Sequence, residues 1–106
     1  MPNIRFSFLY RDAANYKTFS DLIFVNPDEI PLDTVRAIIR SGCNVDLCFD
    51  PVNWGIPNIR TQPYDAEIDH QWYEFEDVEE TGEEPTDGRM VREFLEMVKQ
   101  NPLLGF

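Results

Sequence analysis

With 106 residues, 42% of them apolar and 27% charged, the chain has room for one globular domain around one core. Twenty Asp and Glu against nine Lys and Arg leave a net charge of -11, which argues against binding that works by neutralising phosphates or an anionic membrane. No apolar run approaches the roughly 18 to 20 residues of a membrane span, and the first residues alternate instead of forming the apolar core of a signal peptide, so a cytoplasmic protein is expected.

Ile4, Phe6, Phe8 and Tyr10 alternate with Arg5, Ser7, Leu9 and Arg11, the period of two that marks a half-buried strand over residues 4–11. Asp12-Ala13-Ala14-Asn15 supplies turn chemistry, and Phe19 leads into Leu22-Ile23-Phe24-Val25, a run continuous enough to be buried on both faces. The two segments read as an antiparallel hairpin with Asn15, Tyr16 and Lys17 at its tip, closed by Asn26-Pro27-Asp28. The period then changes. Leu32, Val35, Ile38 and Ile39 form one helical stripe, with Pro31 at the start and Gly42 after the last turn.

Val45, Leu47 and Phe49 alternate with Asp46, Cys48 and Asp50 as a short third strand, after which Pro51, Gly55, Pro57 and Pro63 break regular structure. A fourth strand is expected over Gln71 to Val78, followed by an acidic surface loop over Glu79 to Asp87. Asp87 is placed to cap a final helix from Arg89 to about Gln100, with a stripe of Met90 or Val91, Phe94, Met97 and Val98. Asn101-Pro102 ends it, leaving the apolar tail Leu103-Leu104-Gly105-Phe106 to dock or stay exposed. The expected fold is a single α+β domain over residues 1–106 in the order β-β-α-β-β-α, with a mainly antiparallel sheet and both helices on one face.

Charge is unevenly distributed. Residues 1–60 carry six basic and seven acidic side chains, whereas residues 61–106 carry three and thirteen, and no Lys or Arg occurs between Thr61 and Gly88. The plain reading is a solvated acidic face. The sharper one is a docking belt for a basic protein partner, built from Asp65, Glu67, Asp69, His70, Trp72, Glu74, Glu79, Glu80, Glu83 and Glu84, because interleaved aromatics suit a protein contact. A second candidate patch is Tyr10, Arg11, Asp12, Asn15, Tyr16 and Lys17, although Arg11 can equally be a strand-end residue paired with a neighbouring acid. An alternative is an acidic inhibitor whose carboxylates imitate nucleic-acid phosphates; direct binding to nucleic acid or membrane is not expected.

The run Asp65 to His70 with Glu76 has the density of a calcium loop, but His70 stands where such a loop needs Gly, and strand or loop is expected where it needs helices. Cys43, Cys48 and the lone His70 fall short of zinc-ligand spacing, and the cysteines read as free thiols, so neither metal nor cofactor is expected. His70 with Asp69 or Asp65 could serve a small hydrolase-like enzyme as a general base, with Ser7, Ser20, Ser41, Cys43 or Cys48 as nucleophile. No nucleophile elbow, phosphate loop or dinucleotide fingerprint accompanies them, so no catalytic residue is assigned. Tyr16, Trp54, Tyr64 and Trp72 read as caps on the core, or else as an aromatic patch beside the belt. Any homodimer is expected to use the more neutral N-terminal half or the tail.

The string Tyr10-Arg11-Asp12-Ala13-Ala14-Asn15-Tyr16-Lys17, with Phe24 and Asn26-Pro27 after it, then His70-x-Trp72-x-Glu74-Phe75 and Pro85-Thr86-Asp87, resembles a family of small uncharacterised bacterial proteins. The resemblance spans most of the chain and implies a bacterial or phage-related cytoplasmic protein. It brings no activity, ligand or catalytic residue. Members tend to carry His where Tyr73 stands, a departure that removes one ligand from any metal reading.

Overall fold

The structure, a computed structural model, describes residues 2–11, 17–44, 46–57 and 72–102. Its elements in chain order are β1 (Asn3–Arg11), β2 (Lys17–Phe24), α1 (Leu32–Ser41), β3 (Cys48–Phe49), β4 (Tyr73–Thr81) and α2 (Val91–Gln100). This is an α+β fold with one four-stranded antiparallel sheet in the order β2-β1-β4-β3. Asp12 to Tyr16, Val45, Asn58 to Gln71 and Leu103 to Phe106 lie outside the described residues.

β1 is the spine of the sheet because its alternation serves two surfaces. Ile4, Phe6, Phe8 and Tyr10 are buried against the helices, while Arg5, Ser7 and Arg11 line the opposite, more open face together with Leu9, which is itself buried there. The core-facing set continues through Leu22 and Phe24 of β2, Val35 and Ile39 of α1, and Val91, Phe94, Leu95 and Val98 of α2. Phe6 lies at the centre of a ring cluster, with ring centroids 5.1 Å from Phe94, 5.3 Å from Phe8 and 5.7 Å from both Phe49 and Phe75. Such offset and tilted aromatic pairs add to simple area burial.

Several expected boundaries shift, each for a physical reason. The third strand shrinks to Cys48–Phe49 because Leu47 is in the left-handed region at φ 62 and Asn44 Oδ1 accepts from both Asp46 N and Cys48 N, folding the approach into a turn. β4 runs on to Thr81, taking Glu79 and Glu80 out of the expected loop, because their backbone pairs with Arg5 and Ile4. A bulge makes this possible. Ser7 pairs with Asp77 and Phe8 with Phe75, so Glu76 is the extra residue, and Tyr73 and Phe75 before it share the core face with Val78 after it.

The last helix starts at Val91, not at Arg89, and Asp87 does not cap it. Asp87 Oδ1 instead accepts from Arg89 N at 2.9 Å and the carboxylate clasps the Arg89 guanidinium, while Glu93 Oε1 reaches back to accept from Met90 N. Trp54, in the Pro- and Gly-rich stretch, is fully buried: it stacks on Phe49 at 4.5 Å and its Nε1 donates to Asn101 O at 2.9 Å. Before α1, Asn26 is the buried polar side chain of the loop and is satisfied locally, donating to Ile30 O and accepting from Ile30 N, both at 3.0 Å.

Candidate functional site

The open face of the sheet is where charge collects. Antiparallel register sets Arg5 opposite Glu79 of β4 and diagonal to Asp21 of β2, which is itself opposite Ser7. Its Nη1 donates to Glu79 Oε1 at 2.6 Å, its Nε lies 3.5 Å from Asp21, and its Nη2 pairs with Glu83 beyond the strand. Arg11 lies diagonally from Glu74, which is opposite Leu9, and takes it with both arms at 2.8 and 3.3 Å. That hydrogen bond and the charge of Glu74 raise the Arg11 guanidinium above its ordinary value.

Two further arginines reach the acidic half from elsewhere. Arg36 of α1 donates through Nε to Asp77 at 2.8 Å, through Nη1 to Asp33 at 3.0 Å and through Nη2 to the Val78 carbonyl at 3.3 Å. It thereby covers part of the β4 edge that short β3 leaves unpaired. The Arg36 hydrogen bond holds the Asp77 carboxyl below the usual carboxylate range, and the Arg89 pair does the same to Asp87. Arg89 also donates to Trp54 O at 2.8 Å and Gly55 O at 3.3 Å and lies over the rings of Phe24 and Phe94.

Of the expected belt, the structure brings Glu74, Glu79 and Glu83 to the open face as partners of Arg11 and Arg5. Trp72 is half-buried, and Glu80 and Glu84 are exposed. Asp65, Glu67, Asp69, His70 and Tyr64 lie outside the described residues, as do Asp12, Asn15 and Tyr16 of the second patch. The rest of that patch divides between faces: Tyr10 is buried beside Tyr73 at 5.6 Å, whereas Arg11 and Lys17 pair on the open face. Arg5, Arg36 and Arg89, which pair with Glu79, Asp77 and Asp87, are absent from the belt as the sequence presents it. The signal for Arg5 was present, since the alternation of β1 puts it opposite the aromatics, where a neighbouring acidic strand must meet it.

The chemistry open to the described residues is limited. A shallow hollow of about 190 Å³ lies over the bulge beside Ser7, Glu76, Asp77 and Glu79, where no hydrogen bond joins Ser7 to a carboxylate among the described residues, and another of about 180 Å³ lies between Pro2, Glu29, Leu32 and Glu80. Among the described residues no group of three His, Cys, Asp or Glu could hold a metal ion, and no helix is long and apolar enough to cross a membrane. Cys43 and Cys48 are free, half-buried thiols. Burial pushes Cys43 up to about 12 and Cys48 up to about 11, so at neutral pH neither is a thiolate nucleophile.

What fold and site define together is a small antiparallel α+β domain with an arginine-studded acidic face. No family model, curated protein or solved structure matches the chain.

Proposed function

We propose that the protein is a small acidic docking module that binds a basic surface of a partner protein along β4 and the loop that follows it. The observation that carries this reading is the charge remaining after internal pairing. Residues 72–88 hold eight carboxylates and no cation, and the four arginines that reach them, Arg5, Arg11, Arg36 and Arg89, come from outside that stretch. Glu76, Glu80 and Glu84 remain exposed, with no ion pair among the described residues. Glu76 and Glu80 stand on a hydrogen-bonded strand, so little backbone order has to be imposed when a partner binds, and surplus negative potential speeds encounter with a basic surface.

Neutralising these three side chains (Glu76→Gln, Glu80→Gln, Glu84→Gln) leaves every described ion pair of the domain in place. Capture of proteins from a cell lysate by the wild-type chain and by this variant separates the readings. Basic partners are expected on the wild type, lost from the variant and released as salt shortens the Debye length from about 10 Å at 0.1 M to about 3 Å at 1 M. Identical capture by both proteins at all salt concentrations would refute the docking role.

A further inference from the structure

We propose that two copies of this chain join through the outer edge of β2, in an antiparallel pair centred on Phe19. β2 is one of the two edge strands of the sheet among the described residues. At Ile23 that edge is occupied: Ile23 N donates to Thr86 Oγ1 at 2.9 Å, and Ile23 O accepts from Thr86 N at 2.9 Å and Asp87 N at 3.2 Å. Those bonds also fix the phase. If the peptide groups of Ile23 point away from β1, the period of two points those of Asp21, Phe19 and Lys17 the same way. Among the described residues nothing outside the hairpin bonds to these three, and Phe19 is 59% exposed, one of the two large apolar side chains left open on the described surface.

The occupant is identified by the sequence of the edge itself. With a two-fold axis through Phe19, Lys17 of one copy faces Asp21 of the other, and the reverse, while Phe19 meets Phe19 and Thr18 meets Ser20. The three outward positions then form hydrogen-bonded pairs across the axis, so each unpaired N–H and C=O finds a partner. A lone Lys on an edge strand usually blocks such pairing; here the residue two places past the centre supplies its counter-charge. Shifting the register by two residues would lose both ion pairs and the ring contact.

Net charge does not oppose this geometry. In the continuous eight-stranded sheet the two β4 strands lie five strand spacings apart, about 24 Å, which is two to three Debye lengths at physiological salt. The join is short, bounded by Thr86 at one end, so the association belongs with small, weak interfaces and is expected between about 1 μM and 1 mM.

Sedimentation equilibrium of the full chain from micromolar to millimolar concentration tests it, with circular dichroism confirming the fold of each variant. The wild type is expected to dimerise reversibly. Lys17→Asp should weaken the dimer at least ten-fold, Asp21→Lys likewise, and an equimolar mixture of the two variants, or the double variant, should restore it. Because Asp21 also neighbours Arg5, the Lys17→Asp result decides if Asp21→Lys disturbs the fold; Lys17 makes no ion pair among the described residues. A wild type that stays monomeric at 1 mM overturns the proposal. So does a dimer indifferent to Lys17→Asp, including one abolished by removing residues 103–106.

Discussion

Arg89 joins three parts of the chain that share no sequence neighbourhood, and its removal should be felt as a loss of global stability. Its guanidinium holds the Asp87 carboxylate with two bonds of 2.9 and 3.0 Å, donates to the carbonyls of Trp54 and Gly55, and closes over Phe24 and Phe94. Both charged side chains are mostly shielded, at 23% and 15% exposure, so the exposed-pair discount applies only in part. Hydrogen bonds to charged groups contribute about 1.5 to 3 kcal/mol each, and a carbonyl stripped of its donor costs about 1 to 3 kcal/mol. Allowing for water to reach the vacated site, Arg89→Ala should lower stability by about 3 kcal/mol, a fall of about 15 °C in Tm for a domain of this size. Urea unfolding at pH 7 and pH 3 separates the components. Asp87 titrates below the usual carboxylate range in the folded state, so its share of the stability is fully present above about pH 4 and fades as pH falls through the folded value. The gap between wild type and Arg89→Ala should therefore narrow at pH 3. A gap under about 0.5 kcal/mol at pH 7, the range of an ordinary surface substitution, would refute the account.

Gly42→Ala should destabilise the domain by about 1 to 3 kcal/mol, since the added Cβ would stand 2.5 Å from Val98 Cγ1 and 3.0 Å from Trp54 Cζ2. Combining it with Val98→Ala makes room, so chemical denaturation should give a double-variant loss smaller than the sum of the single losses. Cys43 and Cys48 should react with iodoacetamide at pH 8 about 100-fold or more slowly in the folded protein than in urea, because thiols at about 12 and about 11 carry few thiolates. Mass spectrometry of the labelled chain reads both sites, and equal rates in the two states would contradict the burial that raises them.

Much of the scaffold was legible because it depends on periodicity. The alternation of Ile4, Phe6, Phe8 and Tyr10 and the stripe of Leu32, Val35, Ile38 and Ile39 report which side of an element is dry; the structure buries the four strand residues with Val35 and Ile39 and leaves Leu32 and Ile38 partly buried. What was not legible came from pairing between distant segments. Leu47 looked like a strand residue, yet Asn44 captures the backbone at Asp46 and Cys48 and bends it. Glu79 and Glu80 looked like loop until Arg5 and Ile4 supplied a strand for them to join. The bulge at Glu76 cannot be read from β4 alone, because only register with β1 shows that a residue is surplus. Trp54 sits among loop formers, and its burial depends on Phe49 of β3 meeting Phe94 and Asn101 of α2 and its C-terminal cap. The belt looks like free charge in the sequence for the same reason: local sequence shows the carboxylates but not the arginines that fold onto them.

The position of β1 between β2 and β4 also sets the order in which the domain can assemble. One side of β1 is closed by the strand that follows it, but the other waits for residues 73–81, with Asn3 paired to Thr81. After the hairpin has emerged, roughly 50 more residues must be synthesised, a few seconds at the usual rate, before that side finds its partner. A hairpin formed in that interval would hold Phe6 and Phe8 beside an open backbone edge, the arrangement that favours pairing between nascent chains. Arg5 and Arg11, which later hold Glu79 and Glu74, bracket that edge with positive charge until the acidic strand arrives. The same two side chains thus guard the incomplete sheet and then fasten the finished one.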